Sequence, residues 1–185
     1  MSIYRLSIFA FLLIAIVFAS CDAKNPYDTG PVYDYAGNLT KDSLLIVKYL
    51  ETAEIDSLYR IHTASGVVVI VQEEGIGSRP NNGNIIYTKY AGSLMSDGSV
   101  FDTNIEQVAI DNDIYDENRN YNLLSFVLGS GSVIPGWDRG FLRLRSGSKA
   151  KLIIPSPLGY QNSETQPKIP ANSILIFDVV FKGMD

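Results

Sequence analysis

The chain has 185 residues, which suits one ordinary globular domain with appendages and leaves little room for two. With 46% hydrophobic and 19% charged residues, and 11 Tyr and 8 Phe to fill a core, the composition excludes a chain that stays disordered. Lys and Arg number 15 against 20 Asp and Glu, a net charge of −5 with no basic cluster, which argues against nucleic acid as a partner.

Residues 1–20 differ from the rest. Arg5 precedes an apolar run from Ile8 to Phe18, the order of a charged n-region and an h-region. The run falls short of the about 20 apolar residues that a spanning helix needs, and it ends on small residues before a cysteine, so 1–20 reads as a processed signal. Phe18-Ala19-Ser20-Cys21 resembles the lipobox of bacterial lipoproteins. That resemblance implies that Cys21 carries the lipid (palmitate among its acyl chains) and becomes the first mature residue, anchored to a membrane of the cell envelope and facing the periplasm or the exterior. Cys21 is also the only cysteine, so it has no disulfide partner within the chain. Loss of 1–20 removes Arg5 and no acid, leaving the mature chain more acidic still.

Residues 21–39 contain Asn25-Pro26, Gly30-Pro31 and Ala36-Gly37 and show no apolar period, which predicts a tether. Thr40 is a candidate helix cap, because Ile46, Tyr49, Leu50 and Ala53 fall at i, i+3, i+4 and i+7. Ile55, Leu58 and Tyr59 repeat the spacing, so 40–63 is predicted as a helical lead-in, either one broken helix or two short ones. His62, the only histidine, would continue the second stripe. No cluster of Cys, His or acidic residues at ligand spacing supports a metal role for it, and no nucleophile motif such as G-x-S-x-G accompanies it.

From residue 64 to 185 the pattern turns to strands. Gly66 to Val71 is rich in β-branched residues, and Asn84 to Leu94 forms a second run that ends near the turn dipeptide Asp97-Gly98 before Val100 to Asp102 returns. Phe126 to Gly129, Ser148 to Ile154 and Ser173 to Phe181 follow, interrupted by one short helix after Pro135. Several strands with one helix and no βαβ alternation predict an antiparallel α+β domain.

Five blocks within this region occur in a recognisable order: Tyr90-Ala91-Gly92-Ser93-Leu94; Asp97-Gly98-Ser99-Val100-Phe101-Asp102; Gly129 through Ile134-Pro135-Gly136-Trp137 to Gly140; Lys151-Leu152-Ile153-Ile154-Pro155; and Ile169-Pro170-Ala171-Asn172-Ser173 through Phe177-Asp178-Val179. Together they resemble the signature blocks of the FKBP-type peptidyl-prolyl cis/trans isomerases. The resemblance implies an FKBP-like antiparallel half-barrel of five or six strands, wrapped around one short helix, with an apolar proline-binding pocket between the two. It implies isomerisation of proline-containing polypeptides, assisting the folding of extracytoplasmic proteins, with neither metal nor other cofactor. By the same resemblance Trp137 forms the pocket floor, and Tyr90, Phe101, Val133, Ile134, Tyr160 and Phe177 form its walls. Phe126 and Ile169 join the substrate-binding set, Asp102 is the pocket carboxylate, and the Ile134 N–H meets a bound carbonyl. Asp102, Tyr160 and Phe177 carry catalysis.

These residue types suit that chemistry. A prolyl ring is flat and apolar and is best held by aromatic faces and aliphatic side chains. The reaction is rotation about an amide against a barrier of about 18–20 kcal/mol, so no nucleophile is needed, and a dry site favours the twisted, less polar amide.

The sequence also departs from the family pattern, with Leu124 where an aromatic residue is common and Lys168 where an aliphatic one is. An acidic insertion between Asp102 and Leu124 lacks the order of a calcium-binding loop and is expected to be an adaptable flap over 103–123. Two rival readings stand beside the enzyme. One is a catalytically weak binding module in an envelope or motility assembly, by similarity to FKBP-like lipoproteins of gliding bacteria of the Bacteroidetes type. The other, compatible with either, is a dimeric chaperone joined through residues 41–61.

Overall fold

The computed structural model describes residues 32–185 apart from residue 164. The expected signal, Cys21 and the first part of the tether lie outside the described residues. The first element is a helix, α1 (Tyr35–Thr52), which starts earlier than the expected cap at Thr40. Asp34 caps it instead, its Oδ1 accepting from Gly37 N at 2.9 Å. Thr40 lies inside the first turns, where its hydroxyl donates to Ala36 O at 3.0 Å. The expected tether therefore gives way to helix at Tyr35.

α1 ends where Ala53 becomes extended (φ −73°, ψ 120°), and the second half of the expected lead-in is not helical. Tyr59–His62 form strand β1, antiparallel to β2 (Val68–Glu73), with Tyr59 opposite Val71 and Ile61 opposite Val69. The Ile55, Leu58, Tyr59 spacing fitted a helix, but Tyr59 and Ile61 also alternate with period two. A neighbouring strand that offers a ladder and a core face decides the matter.

The remaining elements are β3 (Ile85–Leu94), β4 (Val100–Thr103), α2 (Glu106–Asp111), β5 (Leu124–Val127), α3 (Pro135–Phe141), β6 (Lys149–Ile154), a 3-10 turn (Ser156–Leu158) and β7 (Leu175–Met184). The sheet has 7 strands in the order β1-β2-β6-β7-β3-β4, with β5 pairing to β3 beyond the end of β4. Every paired neighbour is antiparallel. The count exceeds the five or six expected because the lead-in contributes β1.

The sheet buries both faces. On the concave side, Val69, Val71, Leu152, Ile154, Phe177 and Phe181 meet Trp137 and Phe141 of α3. α3 comes close to the sheet because Gly140 faces β6: a Cβ there would stand 2.9 Å from Leu152 Cδ1. On the convex side, Val68, Ile70, Ile153, Ile174 and Ile176 pack against Ile46 of α1, with Tyr49 and Leu50 beside it. Burial of a side chain such as Ile46, only 2% exposed, contributes about 1.5–3 kcal/mol. Double coverage explains why Val67 to Val71 are buried without a break, where a half-buried strand would alternate. Among the described residues no helix is long and apolar enough to cross a membrane.

Candidate functional site

Trp137 sits in the first turn of α3, where Pro135 supplies a preset φ and no wasted N–H. The loop before it is tied down by Asp138, whose Oδ1 accepts from Gly129 N at 2.8 Å. The indole is 3% exposed and touches three rings edge-on: Tyr90 and Phe177 at 5.2 Å each and Phe126 at 5.5 Å between centroids. Its Nε1–H has no partner among the described residues.

Above the indole lies a cavity of about 440 Å³, within the usual size of a small-ligand site. Tyr90, Trp137 and Phe177 form its aromatic part and Val133, Ile134 and Leu124 its aliphatic part, with Asp102, Ser132 and Tyr160 as polar groups. Ile134 O accepts from Trp137 N at 2.9 Å, and its own N–H finds no protein acceptor among the described residues. A second cavity, of about 410 Å³, shares Asp102 and Tyr160 with the first and is completed by Phe101, Ile169 and the loop Gln166-Pro167-Lys168. The two form a groove with Asp102 and Tyr160 at its waist.

The structure thus brings seven of the ten predicted pocket residues to the first cavity and separates the other three. Tyr90, Asp102, Val133, Ile134, Trp137, Tyr160 and Phe177 line the first cavity. Phe101 meets Phe177 edge-on at 5.6 Å but opens into the second. Ile169 also belongs to the second cavity. Phe126 lines neither: it is 6% exposed and lies beneath Trp137 and Phe141, supporting the floor rather than meeting a ligand. Its place on β5 between exposed Ser125 and Val127 points it into the core. His62, exposed at the end of β1, lines neither cavity.

A polar cluster at the rim, absent from the expected set, joins Tyr90, Asp102 and Arg119. Tyr90 Oη donates to Asp102 Oδ2 at 2.5 Å, Arg119 Nη1 donates to Asp102 Oδ1 at 2.5 Å, and Arg119 Nη2 donates to Tyr90 Oη at 3.2 Å. Arg119 is the one basic residue in the insertion 103–123, a signal the sequence did offer. Burial, and then the hydrogen bond to Asp102, push the Tyr90 phenol well above its ordinary value. Burial, and then the charge of Asp102, raise Tyr160 as well. Both rings therefore present neutral O–H groups around pH 7. The Tyr90 hydroxyl is engaged with Asp102, while that of Tyr160 has no protein partner among the described residues.

The insertion is tied to the domain at both ends. Asn104, 4% exposed, accepts from Tyr90 N at 2.7 Å and donates to Thr88 O and Asn122 O at 3.0 Å each. It clips both ends of the insertion to β3 directly behind Tyr90. Ala109 of α2 is buried, and Tyr115 and Tyr121 stack at 5.7 Å with Arg119 over the Tyr121 ring.

Comparison with known proteins fits this geometry. Residues 77–182 match the family FKBP-type peptidyl-prolyl cis-trans isomerase. The peptidyl-prolyl cis-trans isomerase FKBP15-1 of Arabidopsis thaliana is 42% identical over 98 residues, 53% of this chain and 55% of that protein. FK506-binding protein 4 of Rhizopus delemar is 34% identical over 120 residues, 65% of this chain and 28% of that protein. The chain therefore spans about half or less of the length of these two relatives. Among solved structures, FkpA from Escherichia coli superposes with a TM-score of 0.58 at 26% identity, covering 100% of this chain and 74% of that one.

Proposed function

Because this chain belongs to the FKBP-type peptidyl-prolyl cis-trans isomerase family, we propose that it catalyses cis/trans isomerisation of X-Pro bonds in polypeptides bound across the groove. The observation that carries this reading is the first cavity, a largely apolar chamber floored by Trp137 whose polar side chains are Tyr90, Asp102, Ser132 and Tyr160.

The prolyl ring enters the first cavity and lies on the Trp137 indole, between Phe177 and Val133. The Ile134 N–H holds a peptide carbonyl, and the Tyr160 O–H, without a protein partner among the described residues, donates to a second polar group of the peptide. Held at both ends, the bound segment rotates about its amide in surroundings of low polarity. The planar amide is the more polar form, so its removal from water favours the twisted state, and each 1.4 kcal/mol of that preference is a tenfold acceleration. Asp102 orients the peptide, itself fixed by Tyr90 and Arg119.

We assign residues 64–185 with β1 as the isomerase domain and α1 as its lead-in, and Cys21 as a lipid-bearing first mature residue that places the domain at a membrane surface outside the cytoplasm, where its clients are newly exported polypeptides. The lipobox-like Ala19-Ser20-Cys21 and the lone cysteine support the anchor. The test is a protease-coupled assay of the full chain, purified in detergent, on a Pro-containing tetrapeptide. A rate that rises in proportion to protein concentration supports the enzyme. A rate that stays at the uncatalysed value leaves a binding module.

A further inference from the structure

Ser156 is where two distant parts of the chain meet. Its backbone N–H donates to Asp42 Oδ2 at 2.7 Å, and its hydroxyl lies 3.4 Å from Tyr33 Oη. Asp42 is 2% exposed and Ser156 0%. Asp42 stands one turn before Ile46 on the face of α1 that packs against the sheet. A carboxyl group stays in such a place only where its oxygens find donors. Among the described residues it has no ion-pair partner, and its donor is the amide that opens the 3-10 turn.

On its other side, Ser156 controls Tyr160. The Ser156 carbonyl accepts from Gly159 N at 3.0 Å and from Gln161 N at 3.1 Å, the two amides that bracket Tyr160. Gln161 has a φ of 56°, a left-handed conformation that a side-chain-bearing residue keeps only where its surroundings impose it. Its side chain donates to Pro157 O, and its carbonyl accepts from Asn172 N at 2.7 Å. The turn that presents Tyr160 to the groove is thus wound around Ser156, and Ser156 is held from behind by α1.

We propose that Asp42 is a positioning residue for the pocket: through Ser156 it fixes the turn that aims Tyr160 at the substrate, making α1 part of the isomerase unit rather than a spacer. This role rests on the isomerase reading above. It is tested with kcat and KM of the full chain in detergent on a Pro-containing tetrapeptide, for wild type, Asp42→Ala, Asp42→Asn, Tyr160→Ala and the double variant Asp42→Ala/Tyr160→Ala. Asp42→Ala should lower kcat/KM by about three- to tenfold, the effect of one lost hydrogen bond. Asp42→Asn keeps an acceptor oxygen and should return to within about twofold of wild type. In the Tyr160→Ala background the loss of Asp42 should change nothing further, because it acts through that ring. Should Asp42→Ala not fold, Asp42→Leu, with a branched side chain of similar outline and no acceptor, takes its place in the same cycle. A folded variant with wild-type kcat/KM, or an equal loss in both backgrounds, overturns the role while the isomerase reading stands. A wild-type chain without turnover overturns that reading and the role with it.

Discussion

Asp102 is held by two neighbours of different character, a buried phenol and a half-exposed guanidinium, and the two should answer to different measurements. The Arg119 and Asp102 side chains are each 38% exposed, so their ion pair lies in the range of surface pairs, at most about 1 kcal/mol. Arg119→Ala is accordingly expected to lower Tm by no more than about 2–4 °C, read by thermal unfolding. Tyr90 behaves otherwise. Its folded-state value is raised, first by burial and then by Asp102, so its contribution to stability is complete below the ordinary tyrosine value of about 10 and is lost as pH rises through the folded value. Unfolding curves across alkaline pH should show stability falling above about pH 10, and Tyr90→Phe should remove part of that fall. Catalysis should not follow the same curve at neutral pH. With Tyr90 and Tyr160 both held neutral and no general base required, kcat/KM should be flat between about pH 6 and 8, and His62→Ala should leave it unchanged. Tyr160→Phe removes one orienting hydrogen bond, worth about 0.5–1.5 kcal/mol, and should slow turnover from a few-fold to about tenfold in steady-state assays.

At the scale of elements, the insertion 103–123 and α1 are both bound to the pocket from behind. Asn104→Ala removes three hydrogen bonds at a site 4% exposed and strands the Tyr90 amide. The expected cost is at least about 2 kcal/mol, a fall in Tm of about 4–8 °C, whereas a freely mobile flap would give almost none. This dependence was hidden in the sequence, because Asn104 earns its contacts from β3 and from Asn122, at the far end of the insertion. The strands of the domain were legible, since their β-branched runs and turn dipeptides act locally. So were Trp137, Val133, Ile134 and Phe177, which lie in blocks whose order resembles a known family. Leu124, a departure from the family pattern, walls the first cavity. The boundary near residue 53 was not legible: Tyr59 fits both periods, and only the pairing with Val71 selects the strand. The place of Phe126 against the floor was not legible, because burial, which the sequence does suggest, does not say which side of a buried tryptophan a ring occupies. Asp42 carried no sequence signal, since its partner Ser156 is far along the chain and offers a backbone group.

For the whole molecule, the sheet carries α1 on its convex side and α3 on its concave side, and on the proposed isomerase reading the groove above Trp137 is where the polypeptide binds. If Cys21 bears the anchor, Cys21→Ser should move the protein from the membrane fraction to the soluble fraction and abolish palmitate labelling. Unchanged fractionation would contradict the lipoprotein form and leave the isomerase reading untouched. The central claim is that the chamber above Trp137 turns over prolyl bonds, and it is tested most directly by exchange NMR on a Pro-containing tetrapeptide with the full chain in detergent. Wild type should bring cis/trans exchange, ordinarily tens to hundreds of seconds, into the range of line broadening or exchange peaks. Phe177→Ala, shown to be folded by its Tm, should return it most of the way to the uncatalysed rate by opening the apolar wall to water. Exchange that wild type leaves unchanged, or that folded Phe177→Ala accelerates as much as wild type does, would contradict catalysis by this pocket.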